Sequence, residues 1–190
     1  MIAGLLLAAG AARRFGSQKL VVGLDGQPIV RHAAVHLVPA VDSLVIVVGA
    51  SARAVRAALN GVDAKVVENV DWAQGLATSI RAGIRALPHD AEAVVIALGD
   101  EPRLDPDVIR RVVADWRARR APIVTARYRG TRAHPVLFDR SMFEELSRLD
   151  GDAGARPLFE AHADQVAYVD VDTERPRDID TPPDLERLGE

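Results

Sequence analysis

Along the 190 residues, short apolar runs alternate with stretches in which apolar positions recur at helical spacing. Residues 4–8, 44–48, 65–68, 93–98 and 123–126 predict β-strands, with later strands expected near 135–138 and over 166–171. Several runs are continuous rather than alternating, VVIAL being the clearest. A strand that is apolar on both sides belongs in a sheet covered on both faces. Helix signals lie between the runs. Ser51 precedes ARAVRAAL, and Asn60-Gly61 follows it as a stop. Asp105-Pro106 offers an N-cap and a first helical position, after which Val108, Ile109, Val112, Val113 and Trp116 share one helical face. Residues 75–79 form a turn ahead of SIRAGIRAL, and Thr181-Pro182 opens a last short helix.

This alternation, with short connections, predicts an α/β fold: a three-layer αβα arrangement around a mostly parallel central sheet. No repeat, low-complexity tract or long linker interrupts it. Residues 1–190 are therefore expected to form a single domain, large enough for a substantial core.

Composition narrows the chemistry. The chain has no cysteine, which excludes disulfides, thiolate-held zinc or iron–sulfur centres and a cysteine nucleophile, and which fits a cytoplasmic location. A net charge of −3 gives no overall basic field, so nucleic acid is not expected as a partner. The first apolar run is too short to span a bilayer and leads at once into Arg13 and Arg14. It is read as a buried strand rather than a signal or anchor, and no membrane partner is expected.

Candidate chemistry concentrates in IAGLLLAAGAARRFGSQK, residues 2–19. A strand empties into a loop of small residues that carries Arg13, Arg14 and Lys19. Small residues let backbone N–H groups approach a ligand, and nearby cations favour a polyphosphate. The loop lacks the Gly-Lys-Ser/Thr of a Walker A motif, and Gly10 and Gly16 are too far apart for GxGxxG. A basic turn between a strand and the next element fits these residues as well. The run at 93–98 ends in Gly99-Asp100-Glu101-Pro102. Ligands of open α/β sheets gather at the carboxyl ends of strands, so Asp100 falls at the same edge as the first loop. A hard carboxylate there suits Mg²⁺. It also suits a plain turn before the helix at 105, and spacing alone leaves both open.

Taken together, LAAGxxxRFGxxK and GDxP resemble the molybdopterin nucleotidyltransferase family, most closely its molybdenum cofactor cytidylyltransferases. LVVGLDGQPIVRH, VIVVGA, NVDWAQGLATSIRAGI, VVIALGDEP, AHPVLF, GDAGAR and DIDTPPDL follow in that family's order over about 180 residues. The resemblance implies a fold like that of nucleotide-diphospho-sugar transferases. It implies transfer of CMP from CTP to the terminal phosphate of Mo-molybdopterin, with release of pyrophosphate and Mg²⁺ or Mn²⁺ as cofactor. A recipient molybdoenzyme or its chaperone is an implied partner. Guanylyl transfer, nucleotidyl transfer to a sugar or alcohol phosphate, and non-catalytic carriage of the pterin are the alternatives.

Residue by residue, the resemblance implies a nucleotide site built from Leu7, Ala8, Ala9, Gly10, Ala11, Ala12, Arg14, Lys19, Gly75, Ser79 and Asp100. Arg14, Lys19 and Asp100 would carry the chemistry. Asp100 and Asp180 would hold the metal, with Asp178 a lesser helper. His134, Pro135, Asp152 and Arg156 would face the pterin. Ala9, in LAAG rather than the LAGG of guanylyl relatives, marks CTP. The chain departs from the family in having Ala12 for a frequent Ser, Glu101 for Gln and Ala133 for Gly. His32 and His36 lie one helical turn apart without an acidic third ligand, so no metal is expected there. Trp72 is expected to pack, and Arg117, Arg119 and Arg120 to form a solvated helix end.

Overall fold

The computed structural model describes residues 1–188. Its centre is a seven-stranded sheet. In chain order the elements are β1 (Ile2–Ala8), β2 (Gly23–Leu24), β3 (Gln27–Pro28), α1 (Ile29–Leu37), β4 (Ser43–Val48), α2 (Ala52–Ala58), β5 (Lys65–Glu68), α3 (Leu76–Ala86), β6 (Ala93–Leu98), α4 (Pro106–Arg119), β7 (Ile123–Tyr128), β8 (Thr131–Asp139), α5 (Phe143–Arg148), α6 (Arg156–Ala161), β9 (Val166–Val171) and α7 (Pro182–Leu188). Strand order across the sheet is β5-β4-β1-β6-β8-β7-β9. β1 is parallel to β4 and β6, β4 to β5, and β7 to β9, whereas β8 runs antiparallel to both β6 and β7.

All seven residues of β1 are buried, and alternate side chains serve opposite layers. Leu6 and Ala8 belong to the core that holds the apolar faces of α1, α2 and α4. Leu5 and Leu7 belong to the other, formed with α3, α5 and α6. This two-sided cover is why the central strands read as continuous apolar runs. From β1 the chain winds outward to β4 and β5, then returns to pair β6 on the other side of β1. The reversal makes the carboxyl ends of β1 and β6 a topological switch point, where loops part and leave a crevice.

The predicted strands are all present, and four differ in extent. The strand expected near 135–138 spans Thr131–Asp139 and forms a hairpin with β7. Arg129 and Gly130, both at positive φ, make its turn. Its register shifts opposite Thr125 and Ala126, so that His134 and Pro135 fall outside the regular pairing. Proline cannot donate to a ladder and is accommodated at such a bulge. The peptide bond between the two is cis. Asp25 and Gly26, both at positive φ, turn a small β2–β3 hairpin. Asp105 caps α4 as expected, accepting from Asp107 N at 2.8 Å. Ser51 starts α2 without a side-chain cap. No helix among the described residues is long and apolar enough to cross a membrane.

Gly83 lets α3 sit directly on β1. A Cβ there would lie 2.3 Å from Leu5 Cδ1, and Leu5 is fully buried. Gly83→Ala gains up to about 1 kcal/mol of helix propensity but overpacks a closed core at a cost of about 1–3 kcal/mol. Urea unfolding is expected to show net destabilisation, although an exposed helical Gly→Ala change normally stabilises.

Candidate functional site

The loop after β1 is held open by close backbone packing. Ala9 O accepts from Ala50 N at 3.1 Å, and Gln18 Nε2 donates to Gly10 O at 3.2 Å. A Cβ at Gly49 would come within 2.8 Å of Ala9 Cβ and O and of Trp72 Cβ, so glycine is needed at this approach. The N–H groups of Gly10, Ala11 and Ala12 donate to no acceptor among the described residues. Three successive unpaired amides on a small-residue loop form a concavity suited to an anion.

At the mouth of this loop lies Lys19, which is 9% exposed. Its Nζ donates to Asp100 Oδ2 at 2.7 Å and to Asp180 Oδ1 at 2.9 Å. The other oxygen of Asp180 meets the Arg14 guanidinium at 2.9 Å. Burial pulls the Lys19 pKa down, but the charges and hydrogen bonds of Asp100 and Asp180 outweigh it, so the ammonium sits above its ordinary value. The segment bearing Asp180 is itself tied down. Ile179 is fully buried and its N–H donates to Asp100 O at 3.0 Å. Asp184 Oδ2 accepts from Asp180 N, Thr181 N and Thr181 Oγ1 at 3.2, 2.8 and 2.7 Å. The loops after β1 and β6 and the turn before α7 thus converge on one nitrogen.

Among the described residues no group of three or more His, Asp or Glu is arranged to hold a metal by itself. Two carboxylates on one cation are nevertheless the donor set expected for Mg²⁺ or Mn²⁺ when substrate phosphates complete the shell. Asp100 and Asp180 fit that group, with Lys19 now between them. Asp178 stands off, paired with Arg175 at 3.5 Å.

A cleft of about 390 Å³ opens at this edge. Leu7 through Ala12, Lys19, Gly75, Ser79 and Asp100 line it together, as do Arg13 and Trp72. Arg14 does not; its side chain is 73% exposed and serves Asp180. Gly75 has φ +116, and a Cβ there would meet Gly151 O at 2.5 Å. α3 begins at Leu76, three residues before Ser79, and the distant 151–152 turn caps it. Leu76 N donates to Asp152 Oδ1 at 3.1 Å and Ala77 N to Gly151 O at 3.1 Å. Ser79 is buried, and its Oγ accepts from Asn69 Nδ2 at 3.0 Å.

A second pocket of about 260 Å³ shares Leu7, Leu76 and Leu98 with the first. It is mostly apolar and contains His134 and Arg156. Asp152 is not with them; capping α3 draws it into the first cleft. Pro135, outside the regular pairing of β8, lines neither pocket. Arg132 also lines the second pocket, its guanidinium 3.7 Å from the Phe159 ring centroid. Sequence reading counted Arg13 only among the loop cations that favour a polyphosphate, and it assigned Arg132 no role. A lone arginine carries no signal until a bulge or loop directs it. Away from these pockets, His32 Nε2 contacts Leu24 O at 2.7 Å, a structural bond within the α1 layer.

The sequence from residue 4 to 166 matches the model of the MobA-like NTP transferase domain. The chain belongs to that family. Nicotine blue oxidoreductase of Paenarthrobacter nicotinovorans is 33% identical over 98% of this chain and 96% of its own. Molybdenum cofactor cytidylyltransferase of Escherichia coli is 23% identical over 95% and 92%. Molybdenum cofactor guanylyltransferase of Burkholderia vietnamiensis is 41% identical over 66% and 61%. The crystal structure of Rv0371c from Mycobacterium tuberculosis, 33% identical, superposes with a TM-score of 0.89 over 99% of this chain and 97% of that one. The same protein is known as a complex with manganese, with a TM-score of 0.82, 33% identity and coverage of 98% and 97%. This MobA-like domain therefore has the fold of the nucleotidyltransferases and places its cations and carboxylates at the switch point of that fold.

Removing the shared cation tests the arrangement without any substrate. Lys19→Ala leaves Asp100 without its cation beside Asp180, which keeps only Arg14, at a cost of about 1–3 kcal/mol for these partly buried partners. Thermal unfolding is expected to show that loss, and added Mn²⁺ should restore more stability to the variant than it adds to the parent.

Proposed function

We propose that this MobA-like domain transfers CMP from CTP to the terminal phosphate of Mo-molybdopterin, releasing pyrophosphate. The observation that carries this reading is the convergence of Lys19, Asp100 and Asp180 at the mouth of an amide-lined cleft that continues into a second pocket. A nucleoside triphosphate fits the first compartment and its acceptor the second, with the shared Leu7–Leu76–Leu98 wall between them. Mg²⁺ or Mn²⁺ held by Asp100 and Asp180 neutralises phosphate charge when bound.

The acceptor is a phosphate monoester whose second pKa is near 6, so it arrives at neutral pH largely as a dianion. No serine, cysteine or histidine nucleophile is required. The work left to the protein is alignment and charge compensation. The amides of Gly10, Ala11 and Ala12 supply hydrogen-bond donors to phosphate oxygens. Lys19, and Arg14 from the rim, offer positive charge to the departing pyrophosphate. Ala9, packed against the Gly49 turn, shapes the base side of the cleft through a single methyl. One methyl gives only modest discrimination, about tenfold or somewhat more. The name of the Paenarthrobacter relative points to a different activity, hydride or electron transfer. The absence of GxGxxG and the charge cluster at Lys19 favour phosphoryl chemistry here.

With Mo-loaded molybdopterin as acceptor, pyrophosphate release is expected to be at least about tenfold faster, in kcat/KM, with CTP than with GTP. Equal rates with the two nucleotides, or oxidation of a nicotinamide cofactor in place of pyrophosphate release, would overturn the assignment. Asp100→Asn or Asp180→Asn should lower turnover by roughly 10²-fold or more, the scale of losing a major electrostatic contact. The two compartments should also separate by mutation. His134→Ala is expected to weaken pterin binding and leave CTP affinity nearly unchanged, and Lys19→Ala to do the reverse, as read by calorimetry with each ligand alone.

A further inference from the structure

One hydroxyl on the wall of the first cleft has a proton that the protein itself does not engage. Ser79 lines that cleft and is only 3% exposed. Its Oγ accepts from Asn69 Nδ2 at 3.0 Å and donates to no acceptor among the described residues. A serine inside a helix can direct its hydroxyl at the carbonyl four positions back. Here that carbonyl belongs to Gly75, and Thr78 occupies it, through N at 3.1 Å and Oγ1 at 2.8 Å. A buried donor without an acceptor is destabilising, so its presence on a cleft wall calls for a group that accepts from it there.

Asn69 decides which part of that hydroxyl stays free. It follows β5, its side chain is buried, and its N–H donates to Val48 O at 2.8 Å. Asp71 N donates to Asn69 Oδ1 at 3.0 Å. A backbone N–H only donates, so the amide cannot be turned over and Nδ2 must face α3. Nδ2 donates to Thr78 Oγ1 at 2.7 Å and to Ser79 Oγ at 3.0 Å. Both hydroxyls receive a proton from Asn69 and must direct their own elsewhere. Thr78 shares its proton between the carbonyls of Asp71 and Gly75, at 3.1 and 2.8 Å. Ser79 has only the cleft. Amides and aliphatic hydroxyls do not titrate near neutral pH, so these donor and acceptor roles are fixed.

The wall next to Ser79 suits a flat base. Trp72, Ala73 and Leu76 line it. The phosphate-binding charges lie on the other layer of the sheet. Leu20 and Ile179, the neighbours of Lys19 and Asp180, belong to the core under α1, α2 and α4, whereas Ala77 and Ile80, on either side of Ser79, belong to the core under α3. We propose that Asn69 is a positioning residue that presents the Ser79 hydroxyl as a hydrogen-bond donor to a ring-nitrogen lone pair of the nucleotide base, N3 of cytosine. This rests on the reading above that the first cleft takes CTP. Uracil carries N3–H in that place and guanine carries N1–H on its pairing edge, so either would set a donor against a donor. The pair therefore adds a polar criterion to the modest one supplied by the Ala9 methyl.

The test is calorimetry of the full chain with Mg²⁺ and each of three triphosphates: CTP, UTP and the CTP analogue that has C–H in place of N3. The parent is expected to bind CTP about tenfold more tightly than the analogue, the scale of one neutral hydrogen bond, and to prefer CTP to UTP by at least as much. In Ser79→Ala the preference for CTP over the analogue should fall to within about twofold. Asn69→Leu fills about the same space without donating, and Asn69→Ala serves where leucine does not fold. Either should cut the parent's preference to about threefold or less, yet change nothing further when combined with Ser79→Ala. A purely structural role would weaken CTP and the analogue together and leave their ratio intact, and that result overturns the proposal. So does equal binding of CTP and the analogue by the parent, whether or not any variant folds. CTP binding by a parent that releases no pyrophosphate overturns the transfer reaction and leaves the proposal standing. A parent that does not bind CTP overturns both.

Discussion

Everything at the working edge depends on one buried ammonium. Lys19 leaves water only because Asp100 and Asp180 both meet it, at 2.7 and 2.9 Å. Desolvating an ion costs several kcal/mol, and one carboxylate with imperfect geometry does not reliably return it. The second carboxylate changes the balance, and the raised pKa of Lys19 records the result. It comes from a segment 161 positions away. The end of the chain is therefore part of the site, which explains the care with which it is fixed. Ile179 is buried, its N–H is bonded to the Asp100 carbonyl, and Asp184 gathers the polar groups of residues 180 and 181.

The same cluster sets how charge can move when a triphosphate arrives. Lys19 and Arg14 together balance Asp100 and Asp180, so the cluster is close to neutral as it stands. A polyphosphate adds several negative charges and competes with the carboxylates for both cations. Each cation drawn toward phosphate uncovers a carboxylate oxygen, where a divalent ion would restore the balance. Metal and nucleotide would thereby be coupled through Lys19. The unpaired amides of Gly10, Ala11 and Ala12 contribute at no such cost, because no bond within the protein must break before they bind.

Legibility in the sequence followed the range of the interactions. The strands at 65–68, 93–98 and 166–171 have the limits their apolar runs indicate, because burial of a run is a local pattern. The Asp105-Pro106 start was legible for the same reason: the cap bonds two residues away. The start of α3 was not. Its first amides are satisfied by Gly151 and Asp152, some seventy-five positions on, so no local N-cap marks Leu76. That long-range cap also explains why Asp152 lies with the first cleft, away from His134. The antiparallel insertion of β8 had no signature either, since a strand buried on both faces reads alike in either direction. Asp100, Lys19 and the first loop were legible as motifs, but the motif does not show that a lysine stands between the two carboxylates.

The insertion of β8 has a chemical consequence that a uniformly parallel sheet would lack. Had the strand beside β6 run parallel to it, the loop leaving its carboxyl end would have supplied the neighbours of Glu101. Running antiparallel, β8 instead brings its early residues to that edge, while its later residues pair with the body of β6, Val136 opposite Ile96. The bulge opposite Thr125 and Ala126 then turns His134 out of the ladder, within 3.1 Å of Glu101. β1 completes the geometry from the other side. Leu7 reaches both pockets, whereas Ala8 and Ala9 keep only the first. The two compartments thus meet across the end of the most buried strand, which is packed on both faces. A transfer that depends on holding two anions in line gains most from such packing.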